Sequence, residues 1–404
     1  MDTCDVVVVG GGLVGAALAL ALPPGLDVVV LEAAEAPRSQ ELPVPQGPWD
    51  ERCLALNDAS RRIFQRLDVW PTLKEHAAPI LATQISERGR FGVTRFTAAE
   101  AGLEALGWNV PVRVIAAVLR TAAMSTRATW IDGGKVAAVD NGPDSVALRY
   151  EAAGAGRALR ARLVVAADGA DSAVRRLLGV ALQRRDYRQC AIVSAVRIGR
   201  PHHGVAYEYF TPEGPLAVLP KAPDACSVIQ TVPTHRADGL VNMSTADYLA
   251  QLQERFGGRL GRFLQLGRRA PHRLERIVGR ASVSGRVAFI GNAAQSIHPV
   301  AAQGFNLGLR DAVNLGALLA GAADPGAAQV LQRFVALRRG DRRAAVAFTD
   351  LLARAFTSPL PGLRQARHWG LVGSQLAPPA HRWLLRQHLG YFGLPPGLRD
   401  GSGG

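Results

Sequence analysis

Cysteine is scarce in this sequence, and no two cysteines have the spacing of a metal or redox motif. The four cysteines among the 404 residues are Cys4, Cys53, Cys190 and Cys226, and none belongs to a C-x-x-C pair. This usage is typical of ordinary thiols in a reducing cytoplasm. We therefore expect a cytoplasmic chain without disulfides, zinc fingers or another metal site.

A convincing membrane-spanning segment is also lacking. The segment Val6 to Leu22 is apolar enough to imitate one, but it is shorter than the roughly 20 residues that a spanning helix needs. It contains four glycines, is bounded by Asp5 and Asp27, and has no basic leader before it. These features exclude a signal peptide and favour a strand, a turn and a helix.

Lysine is scarce as well. Only Lys74, Lys135 and Lys221 are lysines among the 47 basic residues, and with 33 acidic residues the formal net charge is +14. Such an excess favours anionic surfaces, including membrane headgroups and phosphorylated cofactors. No basic run is interleaved with aromatic residues, so we expect no nucleic-acid partner.

What the sequence does contain is the composition of a folded globular protein, with 48% apolar and 20% charged residues. Near its start, Val6–Val9 and Asp27–Leu31 have the continuous apolar character of buried parallel strands. Between them, Leu13–Leu22 is rich in alanine and leucine and ends at Pro23. This order predicts a βαβ unit.

Later segments extend the pattern and then break it. Leu163–Ala167 and Val287–Ile290 are further apolar runs typical of buried strands. Asn141-Gly142 lies between two short strand-like segments and predicts a β-hairpin. The region from Ala191 to Val232 alternates more strongly, which indicates an antiparallel sheet. From Gln329 onward the chain is mostly amphipathic helix.

These elements predict an α/β fold with a Rossmann-like, doubly wound nucleotide-binding domain. We expect this domain to be discontinuous, with an inserted β-sheet substrate domain and a helical C-terminal region. The expected bounds are 1–75, 96–180 and 275–345 for the nucleotide-binding domain, 76–95 and 181–274 for the substrate domain, and 346–404 for the C-terminal region.

The first candidate site is Gly10-Gly11-Gly12-Leu13-Val14-Gly15, a G-x-G-x-x-G motif between strand and helix. In this context Gly10 permits a tight turn, Gly12 leaves room for a pyrophosphate at the helix start, and Gly15 permits close helix packing. Glu32 ends the second strand, where a carboxylate accepts hydrogen bonds from a ribose. The motif predicts a dinucleotide site and does not itself choose between FAD and NAD.

Two further segments follow predicted strands. Ala166 to Ser172 contains Asp168-Gly169 and, on its own, is explained more simply as a loop with a helix N-cap. The segment from Phe289 to Pro299 leads into a glycine-bearing turn and a helix that starts near Gln303. Asn292 in this segment can donate to and accept from sugar hydroxyls. His298 precedes a proline, which favours a positional role over proton transfer.

In this order, the three segments resemble the family of FAD-dependent aromatic hydroxylases, typified by p-hydroxybenzoate hydroxylase. The resemblance covers nearly the whole chain and is strongest for the ubiquinone-biosynthesis branch. Asn292 and Gln295 stand where most of the family has Asp and His, and they resemble the 2-octaprenyl-6-methoxyphenol hydroxylases. Ala302 departs from the branch, which usually has glycine there. Supporting stretches are Trp49 to Arg52, Glu87 to Gly92, His203 to Glu208, Gly214 to Pro220 and Phe348 to Asp350.

The resemblance implies a set of FAD-binding residues. Within it Arg52 is expected near the pyrophosphate or ribityl chain, and Val136 is expected to present backbone to the adenine. No catalytic acid or base is identified. The candidates for lining the substrate ring are His203, Tyr207, Tyr209 and Pro299, with core packing as the alternative for the aromatic residues. The implied FAD-binding residues are Gly10, Gly12, Leu13, Val14, Gly15, Glu32, Arg52, Arg113, Val136, Asp168, Gly169, Gly291, Asn292, Gly304, Phe305 and Asn306.

The implied activity is hydroxylation of a polyprenylated phenol by FAD, O2 and NADPH or NADH, through a flavin hydroperoxide. The expected reaction converts a 2-polyprenyl-6-methoxyphenol to the para-hydroquinone in ubiquinone biosynthesis. One alternative is a flavin-dependent reductase or dehydrogenase acting on an isoprenoid. Another is a non-catalytic flavoprotein component of a biosynthetic complex.

A bilayer-resident substrate further implies peripheral association with the inner membrane and a possible ubiquinone-biosynthesis protein complex. Leu363 to Leu389 mixes arginines with Trp369 and Trp383, as an interfacial anchor does. A helical cap packed on the core is the alternative for this segment.

Overall fold

A computed structural model of the chain describes residues 2–35, 52–89, 92–298, 303–357, 377–395 and 398. The strands are β1 Asp2–Val9, β2 Val28–Glu32, β3 Cys53–Asn57, β4 Ala78–Ile80, β5 Ala82–Glu87, β6 Val93–Thr97, β7 Gly107–Pro111, β8 Thr129–Asp132, β9 Lys135–Asn141, β10 Val146–Ala152, β11 Ala155–Ala166, β12 Leu182–Ile198, β13 Val205–Thr211, β14 Gly214–Ala222, β15 Ala225–Pro233, β16 Phe263–Leu266, β17 Ala270–Gly279, β18 Val283–Ser284, β19 Val287–Phe289 and β20 Gln295–Ser296. The helices are α1 Leu13–Ala21, α2 Asp58–Arg66, α3 Trp70–Lys74, α4 Val112–Met124, α5 Ala173–Leu177, α6 Thr234–Asn242, α7 Thr245–Phe256, α8 Gln303–Leu319, α9 Ala328–Thr357 and α10 Pro378–Leu389, with a 3-10 turn at Gly291–Ala293.

The first sheet has the order β18-β19-β11-β1-β2-β8, with the β9–β10 hairpin added to β11. Strands β19, β11, β1, β2 and β8 run parallel to their neighbours in that order. Parallel strands meet at one edge with their carboxyl ends, so Val9, Ala166 and Phe289 are neighbours there. The three segments singled out in the sequence therefore converge at this edge.

Both faces of this sheet are buried, which explains its continuous apolar runs. Val6, Val8 and Val30 belong to the cluster on the face that α1 and α8 cover. Val7 and Leu31, their neighbours along the strands, belong to a second cluster under the β9–β10 hairpin. The same alternation in each parallel strand fills two cores at once.

The second sheet has the order β20-β17-β12-β15-β14-β13-β5-β6, with β16 added to β12. Its pairs are antiparallel except β13 with β5. One face packs on α6 and α7 through Ile192, Val218, Val228, Leu252 and Phe256. The opposite face is left for the cavity described below.

A smaller sheet, β3-β7-β4, lies against β14 of the second sheet. Asn57 ends β3 and caps α2, since its side-chain oxygen accepts from the Ser60 backbone N–H at 3.0 Å. Helix α10 packs through Leu385 and Leu389 against Phe96 and Leu106.

The α/β architecture predicted from the sequence matches these elements, including the βαβ unit, the hairpin and the antiparallel region. Segment 76–95 contributes β5 and β6 to the second sheet, whereas its β4 joins the small sheet. The domain bounds themselves remain a proposal. None of the helices in the described ranges combines the length and apolar character that a bilayer crossing requires.

Candidate active site

A cavity of about 620 Å³ extends from the carboxyl edge of the parallel sheet to the free face of the second sheet. This volume lies within the roughly 300–1,000 Å³ typical of small-molecule sites. The G-x-G-x-x-G loop, the Asp168-Gly169 loop and the start of α8 form one end, and strands of the second sheet form the other. One cavity therefore joins the predicted cofactor segments to the second, mostly antiparallel sheet.

The glycine loop brings the start of α1 close against the sheet. Gly10 has a φ of 101°, in the region that favours glycine, and its N–H donates to Leu31 O at 2.7 Å. A Cβ on Gly15 would lie 1.8 Å from Gly10 O, so only glycine permits this approach. A Cβ on Gly12 would meet no protein atom within 4 Å. Gly12, Leu13 and Val14 line the cavity.

Glu32 holds the loop from the end of β2. Its Oε2 accepts from the Gly11 backbone N–H at 2.6 Å, and its Oε1 accepts from Ala34 N–H at 2.9 Å. The ribose role predicted for this carboxylate remains a prediction. The structure adds a second task, because the same carboxylate fixes the shape of the glycine loop.

The Asp168-Gly169 loop caps a helix, which is the simpler of the two roles considered from its sequence. Ser172 caps α5 by accepting from Arg175 N–H at 3.1 Å, and Asp168 Oδ2 accepts from Val174 N–H at 3.2 Å. Asp168 Oδ1 is buried and has no hydrogen-bond partner within the described part of the chain. Gly169 lines the cavity. The loop caps a helix and still leaves one buried acceptor unused.

The third segment supplies the wall next to the loop. Asn292 is exposed and lines the cavity, together with Gly304, Phe305 and Asn306 at the start of α8. The amide of Asn306 is already engaged, since its Oδ1 accepts from Ser60 Oγ at 2.6 Å and its Nδ2 donates to Ala55 O at 3.0 Å. Asn306 therefore positions β3 and α2 around the cavity.

Some of the predicted cofactor residues do not lie on the cavity wall. Arg52 lines the cavity, whereas Arg113 in the first turn of α4 and Val136 on β9 are not on its wall. Gly291 lies behind the wall, where its N–H donates to Asp311 Oδ2 at 3.3 Å. Pro299 and Ala302 lie outside the described residues.

The substrate end of the cavity is largely aliphatic. It is the face of the second sheet opposite to α6 and α7, closed at one side by the small sheet. The polar and charged residues that line this end are Thr83, Asn109, Tyr207, Glu208, Thr231, His272, Arg273, Glu275 and His388. The aliphatic lining residues are Leu56, Ile80, Leu106, Ala191, Val193, Ala206, Pro215, Ala217, Leu219, Ile229 and Leu274.

Of the three substrate-lining candidates His203, Tyr207 and Tyr209, the structure places Tyr207 alone on the cavity wall. Tyr207 borders the cavity, but its ring packs edge-on against Phe256 at 5.3 Å between centroids. Tyr209 is not on the cavity wall and lies under the Arg259 guanidinium. His203 is exposed in the turn before β13 with a φ of 50°. Strand alternation directs the tyrosines to the helix side of the sheet, as the core-packing alternative holds.

The same alternation points Glu208 into the cavity, and the sequence reasoning missed it. Burial raises the pKa of Glu208 to about 7. His388 of α10 also lines the cavity, with its Nε2 3.1 Å from Thr83 Oγ1, and burial lowers its pKa to about 4. Glu208 lies between Tyr207 and Tyr209 in the strand, so alternation places its side chain on the opposite face from both tyrosines. The sequence alone therefore contains the signal that Glu208 and the tyrosines face different sides of the sheet.

Comparison with known proteins decides the family. The sequence model of an FAD binding domain matches residues 3–349. The chain belongs to this FAD-binding family. Ubiquinone hydroxylase UbiL of Rhodospirillum rubrum is 34% identical over 97% of this chain and 91% of its own length. The 3-demethoxyubiquinol 3-hydroxylase of Escherichia coli K12 is 32% identical over 96% of this chain and 98% of its own length.

A solved structure has the same fold. The p-nitrophenol 4-monooxygenase PnpA of Pseudomonas putida DLL-E4 superposes with a TM-score of 0.76 at 22% identity, over 96% of this chain and 99% of that chain. At this identity the likeness supports the fold alone, and it confirms the predicted fold class. The family and the hydroxylase relatives make the chain an FAD-dependent monooxygenase that uses NAD(P)H and O2.

The site fits FAD on its own geometry. The open space at Gly12 lies at the N-terminus of α1, which has no side-chain cap and favours a pyrophosphate. The buried, unpartnered Asp168 Oδ1 offers an acceptor to a cofactor hydroxyl. Asn292 and Gly304 continue the wall toward the second sheet. These features follow one path that an extended dinucleotide fits.

Proposed function

We propose that the protein hydroxylates a 2-polyprenyl-6-methoxyphenol at the carbon para to the phenol oxygen, in ubiquinone biosynthesis. Two observations support this substrate class. Two relatives, matched over 91% and 84% of their own length, are named as ubiquinone hydroxylases. The substrate end of the cavity is aliphatic, as a prenyl chain requires.

The observation that carries the proposal is the shared cavity. The loop end has the features of an FAD site, and the aliphatic sheet face faces the same space. Burying an isoprenoid tail against this face contributes roughly 25 cal/mol per Å² of apolar surface. A tail held there keeps the ring between the sheet and the cofactor segments.

The residues of this chain bind, orient and exclude water. When bound, FAD supplies hydride acceptance from NAD(P)H and the activation of O2 for transfer to a ring. Gly12 and the α1 N-terminus hold its pyrophosphate, and Gly304 and Phe305 border the space for its ring system. The aliphatic wall keeps water from the reacting carbon, which limits loss of activated oxygen as H2O2.

The position of hydroxylation follows from the substrate. A phenol oxygen raises electron density at its ortho and para carbons. The prenyl and methoxy groups occupy both ortho carbons of this phenol, which leaves the para carbon as the open activated position. An electrophilic oxygen donor therefore attacks there.

Isotope labelling tests the reaction. The FAD-loaded protein is given NADPH, 18O2 and a 2-methoxy-6-prenylphenol with a short chain, and the product is analysed by mass spectrometry and NMR. We expect a para-hydroquinone with one 18O. Label at a meta carbon would overturn the regiochemistry. NADPH oxidation that yields only H2O2 would overturn the hydroxylase assignment for this substrate, and saturation of a prenyl double bond without O2 would favour the reductase alternative.

Peripheral membrane binding is part of the proposal, since a long-chain substrate resides in the bilayer. Most of the segment 363–389 lies outside the described residues, but α10 falls within it. Leu385 and Leu389 of α10 pack on the core, as a cap does, while Arg382, Trp383 and Arg386 are exposed. This outer face has the cations and the aromatic ring of an interfacial helix.

Flotation with vesicles tests membrane binding. We expect the protein to float with vesicles containing anionic lipid at low salt and to sediment at high salt. Trp383→Ser with Arg382→Ser should weaken flotation without changing FAD content. Equal flotation of this variant, or no flotation of the parent protein at low salt, would remove α10 as the anchor.

A further inference from the structure

The cavity face of the second sheet contains one carboxylate in an apolar cross-strand row. Glu208 on β13 pairs with Ala217 on β14, which pairs with Ile229 on β15. Ile229 in turn pairs with Val193 on β12. Residues opposite one another in neighbouring strands share a face, and all four line the cavity. Glu208 is thus the polar end of a row made otherwise of aliphatic side chains.

The neighbours of Glu208 leave its carboxylate open to the cavity. Its two cross-strand partners are Ala217 on β14, which is small, and Ile85 on β5, which is apolar. No hydrogen bond or ion pair to the Glu208 side chain occurs among the residues that the structure describes. By contrast, Glu213 on the same hairpin bonds Thr211 and lies near Arg255, away from the cavity. A carboxylate with no protein partner on this wall is available to accept a hydrogen bond from a ligand in the cavity.

We infer that Glu208 is a catalytic base, which accepts the phenolic proton of the substrate. The inference rests on the proposed function. The O–H bond of the phenol breaks, its electron pair stays on the oxygen, and the proton moves to the Glu208 carboxylate. The para carbon of the resulting phenolate is more electron-rich than that of the phenol. After oxygen transfer, the para carbon loses its hydrogen as a proton, which is taken up by the second oxygen atom of O2 as that atom leaves in water. Glu208 then returns the phenolic proton to the phenol oxygen.

The acidity of the two groups suits this transfer. The pKa of a phenol is about 10 and that of an ordinary glutamate is about 4.3, so the two pKa values differ by about 6 units. Burial raises the pKa of Glu208 to about 7, so the gap falls to about 3. A base whose pKa lies near the working pH combines the correct protonation state with a useful driving force.

The two histidines on the cavity wall do not titrate in the same range. His388 has a pKa lowered by burial to about 4, and the pKa of His272 is also lowered, mainly by burial. Both histidines are therefore neutral above pH 7. Arg52, Arg273 and Glu275 line the cavity as well. A kinetic limb near pH 7 consequently reports on Glu208.

Glu208→Gln keeps the size of the side chain and removes the base, with Glu213→Gln as the matched control on the same hairpin. In the parent protein, kcat/KM for hydroxylation should rise with pH and level off above about 7. In Glu208→Gln this limb should disappear, and hydroxylation at pH 8 should fall about 100-fold. Reduction of the bound FAD by NADPH should change less than about twofold, with more H2O2 released. Hydroxylation by Glu208→Gln at the parental rate and pH dependence would overturn the inference.

A binding measurement separates this inference from the proposed function. The affinities of the short-chain phenol and of its methyl ether are compared through the flavin absorbance of the oxidised enzyme, which needs no turnover. The parent protein should prefer the phenol over the ether about tenfold more at pH 8 than at pH 6, and Glu208→Gln should lose this difference. If the parent protein binds but does not hydroxylate the phenol, the proposed function fails while this preference still decides the role of Glu208 as acceptor. Equal preferences in both proteins would reject that role.

Discussion

The two ends of the cavity are made from different parts of the chain. At the loop end, three glycines, Gly12, Gly169 and Gly304, line the ligand space beside the uncapped start of α1. At the sheet end, aliphatic side chains form the larger part of the wall, with Glu208 and other polar side chains among them. The loop end therefore suits a cofactor that many proteins share, while the sheet end sets which substrate fits.

The support behind the two ends differs in the same way. Behind the loop end, Asp311 of α8 accepts from Arg338 Nε at 2.8 Å and from Gly291 N–H at 3.3 Å, and it pairs with Arg342 Nη2 at 3.0 Å. Burial alone raises the pKa of Asp311, but Arg342 and Arg338 hold it below its usual value. Behind the sheet end the support is an apolar cluster with α6 and α7. Buried charges fix a single arrangement only while every partner is present.

Breaking the buried ion pairs of Asp311 and Arg338 should have the largest effect on stability. Arg338 is fully buried and also pairs with Asp341 at 2.6 Å, so Arg338→Met leaves two buried carboxylates short of a partner. We expect the free energy of unfolding to fall by about 3–5 kcal/mol, measured by urea denaturation of the FAD-loaded protein. The control is Arg88→Met, which breaks an exposed pair with Glu254 and should cost about 1 kcal/mol or less. Equal losses in the two variants would contradict the distinction between the buried and exposed pairs.

The loop end is tested by Gly12→Val. The protein itself leaves space for this side chain, so the fold should persist while FAD affinity falls at least about 100-fold, because the valine occupies the pyrophosphate position. FAD content and the dissociation constant are measured by absorbance and titration of the apoprotein. Gly25→Val is the matched control, since Gly25 also faces open space but lies after α1. Full FAD occupancy in Gly12→Val would refute the pyrophosphate assignment.

The difference between the ends also explains what the sequence predicts. Local backbone structure depends on local sequence order, so the succession of strand, glycine loop and helix predicted the turn at Gly10–Gly15 that the structure contains. The sheet end depends on which face of each strand turns inward, and that is set by pairing between β13, β14 and β15. Alternation places Tyr207 and Tyr209 on one face, but only tertiary packing on α7 decides that this face is the helix side. Glu208 was missed for that reason.

The sheet end is tested by Ala217→Phe. Ala217 lies in the row beside Glu208 and faces the cavity, so a phenyl ring there should fill space intended for the substrate. We expect the dissociation constant of the short-chain phenol to rise about 30-fold, an effect of about 2 kcal/mol. FAD affinity should change less than about twofold, and Ala217→Ser should leave both affinities nearly unchanged. A loss of FAD affinity in Ala217→Phe would mean that the two ends are not separate.

The smallest expected effect is that of Glu32→Ala, which acts on the loop end through a side chain. A charge-assisted hydrogen bond to a ribose contributes roughly 1.5–3 kcal/mol, which predicts at least about tenfold weaker FAD binding. Part of this loss comes from the loop, because Glu32 also accepts from Gly11 N–H. Glu32→Gln retains an acceptor and should lose less.

The matched control for this prediction is Glu35→Ala, which removes an exposed carboxylate three residues further along the chain. Measuring the affinities of FAD, ADP and adenosine then separates the two tasks of Glu32. If the ribose bond dominates, Glu32→Ala weakens the binding of all three ligands equally, since all three contain the adenosine ribose. If Glu32 acts only by shaping the glycine loop, binding of adenosine, which has the ribose but no phosphate, should be unaffected by Glu32→Ala. An unchanged dissociation constant for all three ligands would make Glu32 an ordinary strand-end carboxylate, and the loop end would then depend on backbone alone.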